Sequence, residues 1–469
     1  MVFTSYFFIF YFLPVVLAVY YVLPNKTAWR NFWLLIASYV FYGWWNPWFV
    51  LLMLAATMIN YVCGWLMSRE GVGEGQRKMA VTAAVVLSLG LLIFFKYAGF
   101  LQTNLNHLLS VFGATGVRVW SIILPVGISF YIFQALSYAI DVYRREAPAA
   151  RSFADFACYI ALFPQMIAGP IIRYNTIALE LRERPHHTDH FASGVALFIL
   201  GFAKKILLAN PIGALADSAF GAQAPSATAA WLGVVAYALQ IYFDFSGYSD
   251  MAVGLGRMFG FEFQRNFNAP YHAESITDFW RRWHISLSTF LRDYLYVPLG
   301  GNRLGNLRTY VNLAIVMLLG GLWHGANWTF IVWGAYHGCL LIMERWAGRK
   351  PLYNRVPRVI RIGLTFVLVL FSWVWFRAEN VSSALAYFNA LFGQGGVDST
   401  TPLLLAQLCT PGKLAVLGVA ALCVMANRQA YEWTAALSGS KVCVLIAVFA
   451  LALMAMFTQT LNPFLYFQF

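Results

Sequence analysis

Charged residues are scarce in this sequence, and their scarcity excludes a soluble protein. Only 11% of the 469 residues are Asp, Glu, Lys or Arg, whereas 60% are hydrophobic and 17% are aromatic. Several apolar runs reach about twenty residues, the length that an α-helix needs to cross a bilayer. The short alternating segments that form transmembrane β-barrels are lacking in the sequence. The composition therefore predicts an all-α polytopic membrane protein.

Acidic residues are scarcer still: 19 against 32 basic residues, for a formal net charge of +13. In a soluble protein such a surplus would suggest a nucleic-acid partner. In a membrane protein it is typical of basic cytoplasmic loops, so we expect contact with membrane lipids and no nucleic acid. After the first five apolar runs, basic loops alternate with loops that carry one basic residue or none, which predicts an N-terminus outside the membrane. The start lacks a basic n-region and a cleavage site, so the first span is expected to be retained.

Metal-binding motifs are also missing. The six cysteines are scattered without a CxxC pair, and none of the four histidines between residues 266 and 338 has HxxxH or HxxE spacing. The cysteines are expected to be packing residues, and we expect no metal and no bound cofactor. The histidines of LRERPHHTDH (His186, His187, His190) could bind a metal, but a solvated cytoplasmic loop is the favoured prediction for them.

The apolar runs predict about eleven to twelve crossings in a single membrane domain over residues 1–469, without a detectable internal repeat. The predicted spans lie near 3–23, 31–45, 48–67, 79–100, 120–141, 191–209, 229–256, 310–323, 327–343, 358–376, 412–426 and 442–457. Pro164, Gly169 and Pro170 interrupt the run 153–172, which therefore predicts a re-entrant segment. Residues 381–393 predict a short surface helix.

A long polar stretch, residues 266–338, lies between apolar spans and holds four of the eight histidines: His272, His284, His324 and His337. A membrane protein keeps such a stretch at bilayer depth only where protein or a watery cavity surrounds it. We therefore expect the functional core within residues 240–345.

Residues 275–294 of this stretch predict one amphipathic helix. Ser275 can cap it, and Asp278 can pair with Arg282 one turn later. Polar side chains form a stripe on one face: Thr277, Arg281, His284, Ser288 and Arg292. Two interpretations remain open, a helix lying in the membrane interface and a funnel lining that leads to an anionic ligand.

His324 ends the apolar run of LLGGLWHGANW, between Gly321 and Gly325. Glycines let a ligand or another backbone approach closely, and Trp323 beside the histidine excludes water. Burial keeps an imidazole neutral and able to accept a proton, although a structural hydrogen bond fits the same pattern. His337 is expected to be structural.

Two carboxylates, Asp244 and Asp250, fall inside the predicted span 229–256. An ionised group at that depth is costly, so it faces the protein interior or a cavity. Asp250 is accordingly either a substrate contact or a structural carboxylate that breaks the helix.

The motifs FWRRWHISLSTFLRDYLYVPLGGNR and LLGGLWHGANWTFIVWGAYHG resemble those of the membrane-bound O-acyltransferase superfamily. The likeness is greatest to the bacterial branch that O-acetylates exopolysaccharides, alginate and cellulose among them. Further segments resemble the family in the expected order, including LPVGISFYIFQALSYAIDVYRRE, LFPQMIAGPIIRY and YFDFSGYSDMAVGLGRMFGF. The part after about residue 350 is less distinctive.

This resemblance implies a ring of transmembrane helices with re-entrant segments around a central funnel. His324 matches the signature histidine of the superfamily, and His284 matches a second histidine of the bacterial branch. The implied activity is acetyl transfer from a cytoplasmic thioester, acetyl-CoA, across the bacterial inner membrane. The implied partners are a periplasmic SGNH-hydrolase-like acetyltransferase and an exopolysaccharide synthase complex involved in biofilm formation.

Acyl transfer needs a base and donors for the oxyanion, which suggests roles for further residues. His324 would be the base, and His284, Asn327 or glycine N–H groups could be donors. Arg281, Arg282 and Arg292 could hold the phosphates of CoA, or could contact lipid headgroups. Ser288, Trp323 and Asp250 complete the set of candidate binding residues.

Two functions of other classes compete with acyl transfer. A proton-coupled transporter or flippase would favour two corresponding broken-helix halves, whereas this chain has one centre rich in helix breaks. A non-catalytic scaffold subunit of an acetylation machinery would need no essential histidine.

Overall fold

The computed structural model of this protein describes residues 1–459 and 465, with the exception of residues 168, 349, 396–400 and 427. The described residues contain helices, turns and irregular segments but no β-strand. Helices satisfy every backbone N–H and C=O within one segment, as a lipid environment requires. The predicted class, an all-α polytopic membrane protein, is confirmed.

The chain forms two compact units. The first consists of residues 1–195 and 252–264, and the second of residues 196–251 and 265–469. The single membrane domain expected over residues 1–469 stays a prediction.

In the first unit the helices are α1 (Leu13–Val22), α2 (Thr27–Gly43), α3 (Trp48–Ser68), α4 (Glu74–Val111), α5 (Ile128–Arg144), α6 (Phe153–Ala161), α7 (Phe163–Met166) and α8 (Tyr174–Ile177). Helices α9 (Thr188–Ala203) and α11 (Ala227–Met258) contribute residues to both units. The remaining helices, all in the second unit, are α10 (Asn210–Phe220), α12 (Ile276–Arg282), α13 (Ile285–Leu291), α14 (Gly305–His324), α15 (Trp328–Trp346), α16 (Arg358–Arg377), α17 (Val381–Leu391), α18 (Thr401–Leu408), α19 (Pro411–Met425), α20 (Ala430–Trp433) and α21 (Gly439–Thr458). Three π-helical turns, Phe8–Phe12, Lys204–Ala209 and Arg292–Tyr296, adjoin these helices.

Six helices among the described residues are long and apolar enough to cross a membrane, and a pair bent by 56° would make a seventh. They are Trp48–Ser68, Glu74–Val111, Thr188–Phe220, Ala227–Met258, Arg358–Arg377 and Gly439–Thr458, with Pro402–Leu408 and Pro411–Met425 as the bent pair. The other expected crossings correspond to helices that do not meet these criteria, such as α2 and α5 with 17 residues each. The expected total of eleven to twelve crossings therefore stays a prediction.

The run 153–172 is broken, as its prolines predict. Ser152 caps α6 by accepting a hydrogen bond from the Asp155 N–H, and the helix ends before Leu162. Helix α7 then begins at Phe163, with Pro164 in its first turn. The interruption is confirmed, and the side of the membrane to which the chain returns stays a prediction.

Helices α14 and α15 pack closely because glycines face each other between them. A Cβ on Gly321 would collide with the Phe330 carbonyl oxygen, and one on Gly334 with the Met317 carbonyl oxygen. This contact fixes the end of α14, where His324 is the last residue.

The predicted single helix over 275–294 is wrong. Residues 276–282 and 285–291 form two helices, α12 and α13, and His284 between them has a left-handed backbone with φ 44° and ψ 55°. Because the helix is interrupted, the stripe expected from Thr277 to Arg292 does not lie on one helical face. The predicted cap at Ser275 is confirmed, since its hydroxyl accepts from the Asp278 N–H at 3.0 Å.

Candidate active site

Asn266 explains why the chain breaks at His284. Its backbone oxygen accepts from the Ile285 N–H at 2.9 Å, and its side-chain oxygen accepts from the Ser286 N–H at 3.2 Å and the Ser286 hydroxyl at 2.9 Å. The same oxygen lies 3.2 Å from Nδ1 of His284. The first N–H groups of α13 are therefore satisfied from outside the helix. Periodicity could not reveal this, because the partner precedes α12 in an irregular segment.

His284 is fully buried, with its ring edge-on to Phe245 at a centroid distance of 4.7 Å. Burial lowers the pKa of His284 to about 3, so its imidazole is neutral at physiological pH. A neutral, enclosed imidazole does not line an open aqueous funnel. Its place in the structure is instead at the centre of the α12–α13 break.

His324 lies in an aromatic enclosure. The ring centroid of Trp323 is 4.9 Å from that of His324, and those of Trp333 and Phe376 are each 5.1 Å away. The Trp323 ring also contacts His284, with centroids 5.9 Å apart. Both predicted histidines thus contact the same indole ring. His324 is 5% exposed as a whole residue, so the enclosure is nearly complete.

Helix α12 is tied to α15 at two points. The buried carboxylate of Glu344 accepts hydrogen bonds from the N–H groups of Ile276 (2.7 Å) and Thr277 (2.9 Å) and from the Thr277 hydroxyl (2.6 Å). Farther along, the Trp280 indole N–H donates to Nδ1 of His337 at 3.3 Å. Sequence reasoning missed Glu344, because it lies 68 residues from the helix that it caps.

The three candidate arginines have different surroundings. Arg282 forms the predicted ion pair with Asp278 at 2.8 Å, and Arg292 pairs with the adjacent Asp293 at 2.6 Å. Arg281 is exposed. The carboxylate partners of Arg282 and Arg292 already neutralise their charge, which leaves Arg281 as the candidate that fits an anion best.

Asp250 pairs with a lysine that sequence reasoning missed. Nζ of Lys204 lies 2.6 Å from the Asp250 carboxylate, and Nζ of Lys205 lies 2.6 Å from Asp244 in a deeper position. Asp244 also accepts from the Leu465 N–H at 2.9 Å. Helix α11 continues through both aspartates, so of the two alternatives the helix-breaking carboxylate is wrong. Both lysines lie inside the predicted span 191–209. A lysine in one span and a carboxylate in another are the sequence signal for such an ion pair.

The remaining candidates are placed as follows. Asn327 caps α15 by accepting from the Thr329 N–H, and its amide donates to the Glu379 carbonyl at 2.7 Å. The Ser288 hydroxyl donates to the Trp283 carbonyl at 3.4 Å. Both side chains thus serve the local backbone. No group of three His, Cys, Asp or Glu side chains suited to a metal ion occurs in the described part of the chain.

The arrangement around His324 suits proton transfer to and from a reacting group. Aromatic rings exclude water around His324, and an imidazole can take a proton from a hydroxyl and return it to a leaving group. The second neutral imidazole, that of His284, contacts the same Trp323 ring.

Comparisons with known proteins agree with this chemistry. The family model described as "MBOAT, membrane-bound O-acyltransferase family" matches residues 34–374. The "Probable alginate O-acetylase" of Azotobacter vinelandii is 44% identical over the whole of both chains. The protein of the same name from Pseudomonas aeruginosa is 49% identical over 84% of this chain and 75% of its own length. A "Peptidoglycan O-acetyltransferase" of Helicobacter pylori is 36% identical over 83% of this chain and 80% of its own. This chain therefore belongs to the membrane-bound O-acyltransferase family and is a multi-pass membrane O-acyltransferase.

Proposed function

We propose that the protein O-acetylates an exopolysaccharide by taking acetyl from acetyl-CoA on the cytoplasmic side and passing it to a periplasmic acceptor. The observation that carries the proposal is the aromatic enclosure of His324 at the end of α14, within the part of the chain that matches the family. The names of the relatives, two alginate O-acetylases and a peptidoglycan O-acetyltransferase, favour a polysaccharide as the final acceptor.

In this proposal His324 is the general base. The acceptor hydroxyl oxygen attacks the thioester carbonyl carbon while its proton passes to the imidazole of His324. The C–S bond then breaks, the CoA thiolate leaves with that proton, and the acceptor carries the acetyl ester. His284 and backbone N–H groups near Gly325 are the proposed donors to the oxyanion. Trp323, in contact with both imidazole rings, would keep water from hydrolysing the thioester.

The cellular setting belongs to the same proposal. The protein is placed in the bacterial inner membrane with its N-terminus outside, where basic loops face the cytoplasm and the donor. An SGNH-hydrolase-like periplasmic protein would receive the acetyl group and modify the polymer, beside an exopolysaccharide synthase complex. Alginate is the polymer that the relatives favour, and cellulose is the second candidate.

The test is the acetyl-ester content of secreted polymer from a deletion strain complemented with variants of this protein. We expect His324→Gln to abolish the esters while protein abundance in the membrane stays normal. His107→Gln changes an exposed histidine and is the matched control, which should restore full acetylation. Full acetylation by His324→Gln would instead favour a scaffold role for this chain.

A further inference from the structure

Two arginines of the first unit are buried without a carboxylate. Arg30, near the start of α2, is 7% exposed, and Arg184, before α9, is 8% exposed. Neither guanidinium forms an ion pair with any residue that the structure describes. A buried charge is costly unless it is paired, and two like charges in one place cost more.

Both guanidiniums lie against one tyrosine. The central guanidinium carbon of Arg30 is 5.1 Å from the Tyr20 ring centre, and that of Arg184 is 5.9 Å from it. Arg184 also lies 4.3 Å from the centre of the Phe261 ring. Aromatic faces hold a guanidinium in place, but they do not neutralise it. The arrangement therefore presents two oriented cations.

The carboxylates of this region are engaged elsewhere. Asp155 accepts from the Asn31 amide at 2.6 Å and from the Ser152 hydroxyl at 2.7 Å. Glu180 accepts from the Glu262 N–H at 3.2 Å, and burial raises its pKa to about 7, so it is a weak source of negative charge near neutrality. The charge of Arg184 acts on Glu180 as a minor influence, but neither carboxylate forms an ion pair with Arg30 or Arg184 among the described residues.

The positive charge of the two arginines affects the pKa of the neighbouring His186. Nε2 of His186 lies 3.5 Å from the Tyr20 hydroxyl. Burial first, then the charges of Arg30 and Arg184, lower the pKa of His186 to about 4. His186 is half-buried and His187 is exposed, so the cluster reaches the protein surface at this point.

We infer that Arg30 and Arg184, with His186 at the rim, form a binding site for a phosphate group. Guanidinium groups match phosphate oxygens in geometry as well as in charge, whereas a chloride would use only the charge. Arg30 ends the loop predicted between spans 3–23 and 31–45, on the cytoplasmic side. The phosphate-bearing ligands on that side are the headgroup of an anionic lipid and CoA. The CoA source alone rests on the proposed function; the site itself does not.

The test measures ligand affinity of the full chain, purified in dodecyl maltoside, by native mass spectrometry. Dihexanoyl-phosphatidylglycerol and CoA are titrated separately against the wild type, Arg30→Gln and Arg184→Gln. Glutamine keeps an amide donor but removes the charge. Arg69→Gln is the matched control, because Arg69 also lies over a ring, that of Trp65 at 4.7 Å, but is exposed.

We expect both buried-arginine variants to lower the affinity for one of the two ligands by about tenfold or more. This is the effect of losing one charge-assisted contact. The control should bind as the wild type does. Weakened lipid binding assigns the site to a headgroup, and weakened CoA binding assigns it to the phosphates of the donor. Unchanged affinity for both ligands in folded variants overturns the inference.

Should neither variant fold, hydrogen exchange of the wild type decides. Saturating phosphatidylglycerol or CoA is expected to slow amide exchange in residues 26–31 and 181–187 relative to the ligand-free protein. Unaltered exchange there with both ligands would also overturn the inference. The outcome is independent of acetyl transfer, since His324→Gln leaves this cluster intact.

Discussion

At the scale of single residues, the backbone of His284 is the most unusual feature of the site. A left-handed conformation costs an ordinary side chain about 1–2 kcal/mol, and Asn is among the few residues that adopt it readily. Here Asn266 stabilises the interrupted backbone, because it caps α13 and contacts the imidazole. The position thus combines a backbone requirement with a chemical one.

Two substitutions separate these requirements. We expect His284→Asn to keep most of the thermal stability, because Asn tolerates the positive φ, and His284→Val to lose about 1–2 kcal/mol more. Both remove the imidazole, so activity lost by the stable Asn variant reports on the imidazole alone. Thermal unfolding in detergent is the measurement, and equal stabilities of the two variants would contradict this account of the break.

Sequence reasoning located the two histidines but not their surroundings. His284 and His324 were found from their polar and glycine-rich contexts and from family motifs. Glu344, Asn266 and Lys204 were missed, because each acts on a residue that is distant in sequence or on the neighbouring helix. Such partners depend on tertiary contacts that periodicity does not encode.

At the scale of helices, the glycines between α14 and α15 set the position of His324. A Cβ at Gly321 would meet the backbone of Phe330 and Gly334, which cannot move aside as a flexible side chain can. Because backbone meets backbone, the two helices would have to separate.

We expect Gly321→Ala to lower the free energy of unfolding by about 1–3 kcal/mol, the usual cost of overpacking. It should also reduce acyl transfer, because His324 lies one turn further along α14. Gly338→Ala is the matched control, since the nearest atom to its Cβ would be Met317 Cβ at 3.4 Å, an ordinary contact. Thermal unfolding and acyl-transfer rates of the two variants are compared. If Gly321→Ala is as stable and as active as Gly338→Ala, the close-packing argument is refuted.

Glu344 has a comparable role for α12. Its carboxylate accepts three hydrogen bonds at the first turn of that helix, where an anion also suits the helix dipole. Removing it leaves buried N–H groups unsatisfied, at about 1–3 kcal/mol each.

We therefore expect Glu344→Ala to destabilise the protein and to lower acyl transfer, with Glu344→Gln intermediate because it keeps one acceptor oxygen. Glu70→Gln changes an exposed glutamate and should behave as the wild type. Unfolding temperature and transfer rate are measured together. A fully active, fully stable Glu344→Ala would show that α12 does not depend on this cap.

Helix positions were predicted well where a long apolar run defines them, and poorly where polar contacts do. Predicted span 229–256 appears as α11 and predicted span 358–376 as α16, each within two residues at both ends. The prediction of one helix over 275–294 failed, because the apolar residues have a helical period on both sides of His284. At the break, Asn266 accepts the hydrogen bonds that a continuous helix would have formed.

At the scale of the whole molecule, four charged residues inside the predicted spans form two ion pairs. Lys205 and Asp244 are both almost completely buried, and Lys204 pairs with Asp250 nearer an accessible surface. Composition predicted a membrane protein because charges are few, but it could not predict that these few would be paired. Paired charges make long helices compatible with lipid.

The family, the enclosed histidine and the membrane spans together define the central claim, that His324 carries acyl transfer from a donor on one side of the membrane to an acceptor on the other. In the proposed function, one imidazole meets both the donor and the acceptor. Its activity should therefore depend on His324 and on the presence of an acceptor, and should be insensitive to remote surface histidines.

The most direct measurement is acetyl transfer from radiolabelled acetyl-CoA by the purified protein in proteoliposomes, in the presence of a polysaccharide acceptor and the periplasmic partner. We predict label on the acceptor and stoichiometric release of CoA with the wild type and with His107→Gln. His324→Gln, folded and inserted equally well, should lose transfer by at least about a hundredfold, the contribution of a general base. Transfer by His324→Gln at the wild-type rate would contradict the claim.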